Sequence, residues 1–377
     1  MPFIKRLIAR FAGSGPNRIA SFTDVAASRV DHQKGVHHQP ETFDGIVLTE
    51  PGDTSNFNSG HSLLDQPASS ELIAGRCRYL TGGITPRTEK TLYSLVNCGV
   101  IGTEGIVYCP QSRTAVRETM RTWTTPLATH PLLSAPRFPA AQYLPGCSIN
   151  LALLSAEGFY HFLFESLPRL WLARRQLSSV SHILANGSPG SCQEKWLQRA
   201  GVASKQIIWM QGLSHYHCEQ LLFTNFLMRD YQPTRWMVHA LRQLLDATPP
   251  QMPGRRRLWI SRSDAKSRQP KWESALLTEL SGFESVCLSK LAPDQQIALM
   301  REAAVVAGPH GAGLSNTVFC APGTKVLELF PNTHRHPIYG RLANVCELPY
   351  AWAIADFSTT PPPELTCAIA QFVEEAR

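Results

Sequence analysis

The chain predicts an α/β protein built on parallel sheets, from three observations. Residues 303–330, AAVVAGPHGAGLSNTVFCAPGTKVLELF, read as strand, glycine turn, short helix and strand, a βαβ unit. Residues 257–302 alternate strand and helix twice before it, so that 257–330 reads as a doubly wound half. Residues 182–228 alternate in the same manner, ahead of a proline-rich break.

The composition sets the bounds. A chain of 377 residues suggests two domains. Hydrophobic residues make up 43% and charged residues 17%, which implies a globular protein with a sizeable core. The net charge of +7 favours phosphate-bearing ligands or an anionic membrane surface. No Lys/Arg run is interleaved with aromatics, so nucleic acid is not an expected partner. The ten cysteines form no CxxC pair and read as reduced thiols in a cytoplasmic protein. No stretch reaches the roughly 18 apolar residues of a membrane span.

At the N-terminus, Phe3, Ile4, Leu7, Ile8 and Phe11 fall at helical spacing among Lys5, Arg6 and Arg10. Two readings stand: an interfacial contact at the inner membrane face, or an ordinary first helix. The segment lacks the apolar region and cleavage site of a signal peptide. Residues 13–70 read as irregular, with one short strand at 45–48. His37 and His38 are adjacent, which is not by itself a metal site. Residues 98–108 and 151–154 read as strands, and 113–123 as a helix.

Residues 158–175, GFYHFLFESLPRLWLARR, read as a strongly apolar helix. His161, Glu165 and Arg169 recur every fourth residue and form one polar row on it. Pro168 should kink the helix and free the carbonyl of Phe164. A buried polar row must be paired or in use. It is either an internal chain that fixes packing or the wall of a cleft carrying a general base.

Strands are expected at 182–185, 206–210 and within 218–226, with helices at 194–201 and 236–245. Alternation puts His215 and His217 on one strand face, but no second ligand pair has metal-site spacing. The stretch 248–257, TPPQMPGRRR, is the expected domain boundary. After it come a strand at 257–260, a loop holding Arg262 and Arg268, a helix at 272–280, a strand at 285–288 and a helix at 293–302. A loop with two arginines at the C-terminal end of a strand suits a diphosphate, because guanidinium forks match phosphate oxygens. In the segment 303–330, Gly308, Gly311 and Gly313 let a ligand approach the backbone, and the N–H groups of the helix after them suit a phosphate.

Three segments then resemble the glycosyltransferases of family 61. They are FYHFLFESLPRL, WISRSDAKSR with Glu273 after it, and the run from DQQIALM to VLELF followed by Tyr339 and Tyr350. They lie in the C-terminal 60% or so of the chain; residues before about 140 add nothing. The resemblance implies a GT-B-like fold, with two Rossmann-like domains facing across a cleft. On that basis the expected divisions are a tail at 1–44, an acceptor-side domain at 45–248, a nucleotide-sugar-binding domain at 255–360 and a C-terminal helix at 361–377.

The resemblance also implies roles. Arg262 and Arg268 would bind the diphosphate of a nucleotide-sugar donor. Gly308, His310, Gly311, Gly313 and Asn316 would line its phosphates, with His310 donating to the leaving oxygen. Glu328 would accept from ribose hydroxyls, as the acidic residue does in dinucleotide folds. His161 or Glu165 would be the base in an inverting displacement on a glycan or lipid-linked acceptor, in surface polysaccharide synthesis. With those cations in place no metal or other cofactor is required. Glu165 stands where many relatives have Asp, and Trp272 where many have Asn. Two other readings are a non-catalytic nucleotide-sugar or glycan-binding protein of the same fold, and a nicotinamide-dependent oxidoreductase. The latter would show G-x-G-x-x-G, where this chain has GPHGAG.

Overall fold

The computed structural model describes residues 16, 18–21, 61–62, 90–122, 126–134, 138–228 and 233–374. The basic N-terminal segment, the strand at 45–48 and the His37–His38 pair lie outside these. The described strands, in chain order, are β1 (Arg18–Ala20), β2 (His61–Ser62), β3 (Leu92–Ile101), β4 (Ile106–Cys109), β5 (Thr114–Val116), β6 (Gln142–Asn150), β7 (Val180–Ala185), β8 (Ile207–Trp209) and β9 (His215–Thr224). Then follow β10 (Arg256–Ile260), β11 (Phe283–Val286), β12 (Ala303–Pro309), β13 (Lys325–Pro331) and β14 (Tyr350–Ala355). The chain divides into two units: Thr88–Leu227 joined by β1, and Met228–Arg377 joined by β2. Helix Arg235–Leu244, expected before the boundary, belongs to the second unit. Its Arg242 Nε donates to the carbonyl of Val318 at 2.8 Å, and its apolar face is buried.

The first unit holds an eight-stranded sheet in the order β1-β5-β4-β3-β9-β6-β7-β8. Only part of it is parallel. β9, β6, β7 and β8 run parallel, but β3, β4 and β5 pair antiparallel, as do β3 and β9. The cause is local: Gly102 and Gly105, both at positive φ, close a tight turn between β3 and β4. The described part of 113–123, expected as a helix, holds β5 and one 3₁₀ turn, Arg117–Thr119. Ala115 and Val116 are buried against the neighbouring strands, and that pairing overrides the helical pattern. The strand expected at 151–154 ends instead at Asn150. There the Asn150 side chain takes over from the ladder: Nδ2 donates to the Gly105 carbonyl at 2.7 Å, and Oδ1 accepts from the Ala152 N–H at 3.1 Å.

The second unit holds a parallel six-stranded sheet, β11-β10-β12-β13-β14-β2. β12, β13 and β14 are buried nearly throughout, as strands covered on both faces must be. Trp259, Leu327, Leu329, Ala351 and Ala353 pack with Leu365, Ile369 and Phe372 of the last helix, Leu365–Glu374. The βαβ unit is present, with a 3₁₀ helix, Ala312–Phe319, between β12 and β13. Among the described residues no helix is long and apolar enough to cross a membrane.

Candidate active site

Chemistry-bearing side chains gather in two clusters, one in each unit. The first follows β6. Asn150 and Asn186, at the ends of β6 and β7, brace the loop between β6 and the next helix: Asn186 Oδ1 accepts from the Leu153 N–H at 3.0 Å. Ser166 Oγ donates to the Leu151 carbonyl at 3.0 Å and pins the helix to the same loop.

That helix, 159–172, is α-helical at Phe159–His161 and Leu167–Leu172 and widens to a π turn at Phe162–Ser166. The expected disturbance at Pro168 takes this form. The wide turn precedes the proline, which offers no N–H and crowds the preceding carbonyls. It also changes the phase of the polar row. His161 and Glu165 meet: His161 Nδ1 is 2.8 Å from Glu165 Oε2. Arg169 does not reach the carboxylate; its Nε donates to the backbone carbonyl of Glu165 at 3.1 Å.

The second oxygen of Glu165 is taken by a residue that sequence reasoning missed. Arg121 Nη1 donates to Oε1 at 2.8 Å, and its guanidinium lies 4.6 Å from the ring centre of Phe226. Nothing in the sequence marks Arg121, 44 positions upstream of Glu165. Glu165 is fully buried (0% exposed). Burial alone would raise its carboxyl, but the bond from His161 and the charges of Arg121, His161 and Arg169 outweigh it and hold it below the usual range. Burial also pushes Arg169 down to about 10. Glu165 is therefore an anion with both oxygens engaged, while the His161 side chain keeps 17% exposure.

The second cluster gathers at the C-terminal ends of β10, β12 and β13. The three glycines sit at close approaches. A Cβ on Gly308 would come within 2.7 Å of the Ile260 carbonyl oxygen, one on Gly313 within 2.8 Å of Ile260 Cγ2, and one on Gly311 would overlap Arg262 Nη1. Gly311 thus leaves the space in which the Arg262 guanidinium lies. Arg262 Nη2 donates to the Ser267 carbonyl at 3.1 Å, while its Nε is buried and has no partner among the described residues. Arg268 is half-buried in a left-handed conformation, φ 56°. Burial and the neighbouring Arg268 charge press the Arg262 pKa down.

Glu273 braces this loop. Its oxygens accept from Trp259 Nε1 at 2.8 Å and Ser261 Oγ at 2.7 Å, and Ser261 Oγ accepts from the Ser263 N–H at 3.1 Å. Trp272 is a core residue: its Nε1 donates to the Asp356 carbonyl at 2.8 Å, and its ring packs edge-on against Phe357.

His310 is 3% exposed, enclosed by the rings of Phe330, His334 and Tyr339. Its Nδ1 is hydrogen-bonded to Glu328 Oε1. Tyr350 Oη donates to Glu328 Oε2 at 2.5 Å. The ribose contact expected of Glu328 therefore finds no free oxygen: the carboxyl is fully buried, and both atoms are used within the protein. Burial pushes Glu328 up to about 8, against the Tyr350 bond and the Arg268 charge. Burial, with the charges of Arg268 and Arg262, holds His310 well below its usual value. Both effects favour the neutral forms. Asn316 is fully buried, with Nδ2 donating to the Gly313 carbonyl at 3.1 Å and Oδ1 unpartnered among the described residues.

The pair His215–His217 has structural partners. His215 is bonded to Tyr108 Oη at 2.6 Å and to the Pro139 carbonyl at 2.7 Å, and His217 stacks on Tyr143.

Residues 159–327 match the family model described as Glycosyltransferase 61. That stretch opens on the helix that carries His161 and Glu165 and ends one residue before Glu328. Over 56 residues the chain is 39% identical to beta-1,2-xylosyltransferase RCN11 of Oryza sativa subsp. japonica, covering 15% of this chain and 10% of that protein. The chain thus spans about a tenth of the curated relative that it matches. His161, Glu165, Arg262, Arg268 and His310 lie within that stretch, and over residues 159–327 the chain matches the glycosyltransferase 61 family.

Proposed function

We propose that the protein is an inverting glycosyltransferase. It moves a hexosyl or pentosyl group from a nucleotide-diphosphate sugar to a hydroxyl of a glycan or glycolipid, in surface polysaccharide synthesis. The observation that carries this reading is the His161–Glu165 pair. A buried anion bonded to Nδ1 orients the ring and leaves Nε2 as its basic atom, so His161 is the base and Glu165 positions it. The sequence left that choice open. Glu165 itself is fully buried behind its two partners, out of reach of a substrate proton.

The GT-B expectation enters on the same footing, with the first unit serving the acceptor and the second the donor. Arg262 and Arg268 meet the charge on the diphosphate, and the Nε of Arg262 and Oδ1 of Asn316, unpartnered among the described residues, mark polar capacity open to a ligand. His310 donates to the leaving oxygen. The reaction balances as one displacement: the acceptor oxygen bonds to the anomeric carbon, the bond to the diphosphate breaks, and the hydroxyl proton passes to His161. Work at the inner membrane face is part of this reading; recovery wholly in the soluble fraction of lysed cells would remove it.

The test is nucleotide release from a panel of UDP- and GDP-sugars, UDP-xylose included, with and without glycan acceptors. Acceptor-dependent release by the wild type, lost in His161→Ala, supports the reading. Binding of a nucleotide without any transfer would instead make the protein a nucleotide-sugar-binding module.

A further inference from the structure

We infer, resting on the transferase reading, that Glu328 is a buried proton donor behind His310. It holds the imidazole in its Nε2–H form and passes a proton to Nδ1 when His310 protonates the leaving diphosphate, while Tyr350 holds the carboxylate that remains.

Geometry carries the inference. Glu328 spends both oxygens on two side chains, His310 and Tyr350, and none on backbone or solvent. Tyr350 Oη donates to Oε2, so Oε1 is the oxygen left to carry a proton toward Nδ1. An imidazole that accepts at Nδ1 carries its own hydrogen on Nε2 and is a donor there. The surroundings keep the pair neutral. Burial, with the charges of Arg268 and Arg262 on the loop after β10, opposes an imidazolium, and burial opposes a lone carboxylate. The other titratable groups around the pair are Tyr350 on β14, Tyr339 on the helix Ile338–Val345, and His334 after β13. Burial raises Tyr339 and Tyr350 above the ordinary phenol range, so both stay protonated.

The proton transfers balance. The Nε2–H bond breaks as a phosphate O–H bond forms; the Glu328 O–H bond breaks as an Nδ1–H bond forms. The histidine ends neutral in its other tautomer, and one negative charge has moved from the phosphate to Glu328. There Tyr350 Oη already donates to it. Glu328 is thus a positioning residue with a proton to give, acting on the donor only through His310.

Two measurements test this. Nitrogen NMR of ring-labelled protein at pH 7 reads the tautomer without any substrate: a His310 signal protonated at Nε2 alone is expected, and an imidazolium would overturn the proton placement. Glu328→Gln keeps a donor toward Nδ1 but has no proton to release. Its kcat should fall by about two orders of magnitude or more, within the range of general acid–base effects, with the Kd for UDP or GDP unchanged. Wild-type kcat in that variant would sink the relay. As a check free of any folding defect in Glu328→Gln, Tyr350→Phe should move the alkaline limb of kcat to higher pH, because Glu328 loses a donor that favours its ionised form. An unmoved limb would count against the role. Failure of the wild type to bind any nucleotide would sink the transferase reading, and the nitrogen shifts would still decide where the proton lies.

Discussion

His161 Nδ1 lies 2.8 Å from Glu165 Oε2, and the other oxygen of that carboxylate is held by Arg121 at 2.8 Å. The histidine is therefore oriented by an anion whose own charge is fixed by an arginine. Substituting Glu165→Gln should lower transfer by about 10²–10⁴-fold, the range of general base catalysis, because His161 loses the anion that orients it and favours its proton uptake. Nucleotide binding, which the reading assigns to the second unit, should survive. Calorimetric titration with UDP or GDP beside a transfer assay checks both; near-normal turnover would return Glu165 to a purely structural role.

Arg121 supplies a second prediction. Removing one partner of a buried pair costs about 3–5 kcal/mol, because the other charge is left uncompensated. Arg121 retains some exposure, so Arg121→Ala should fall at or below the low end of that range. Urea unfolding of the two proteins gives the difference, and a loss under about 0.5 kcal/mol, typical of a surface change, would contradict the pairing.

Acid and alkali should act on the fold through different carboxyls. The Glu165 carboxyl is depressed in the folded state, so its stabilisation is present above the ordinary carboxylate pKa and is lost as pH falls through the folded value. The Glu328 carboxyl is raised, so its contribution is complete below the ordinary carboxylate pKa and is lost as pH rises through about 8. Stability measured from pH 3 to 9 should therefore decline at both ends. Glu165→Gln should flatten the acid limb, and Glu328→Gln the alkaline one. The same limb lost in both variants would refute the assignment.

Gly311 offers a test of the donor side. A methyl group there would meet Arg262 Nη1, the far end of a flexible side chain, which can move aside. Gly311→Ala should thus leave stability nearly intact while displacing the guanidinium. Loss of one charged hydrogen bond, about 1.5–3 kcal/mol, corresponds to a roughly 10- to 150-fold weaker Kd for the nucleoside diphosphate. Gly308→Ala should behave differently, since its Cβ meets the Ile260 backbone; overpacking of this kind costs about 1–3 kcal/mol in stability. Thermal unfolding with and without UDP separates the two effects.

Glu273 is predicted to act through the loop. Glu273→Ala strips acceptors from Trp259 Nε1 and Ser261 Oγ. Buried donors left unpaired cost about 1–3 kcal/mol each. The expected result is a less stable protein with weaker nucleotide binding and unchanged chemistry once saturated. A reduced kcat at saturating donor would contradict this.

The centre of the parallel sheet was legible in the sequence, whereas β11 starts two residues before the strand expected at 285–288, and β14 and β2 were not expected. The apolar runs of β12 and β13, the glycines between them and the helix period of 293–302 each state a local rule, and local rules are written in neighbouring residues. The same holds for the pairing of His161 with Glu165, which needs only one turn of helix. The first sheet was harder to read. β5 is three residues long and takes its conformation from strands on either side of it, a preference no window of sequence contains.

By itself the sequence determined that a βαβ unit with a glycine turn is present, that two arginines follow a strand end, and that a histidine and a carboxylate share a helix face. Only the tertiary structure decided what those groups are free to do. Burial and long-range pairing bring Arg121 onto Glu165 and leave His161 the partly exposed member of its pair; they close Tyr350 and His310 around Glu328. The physical reason is that a carboxylate's role depends on its solvation and on who holds its oxygens, and both are set by residues distant in the chain.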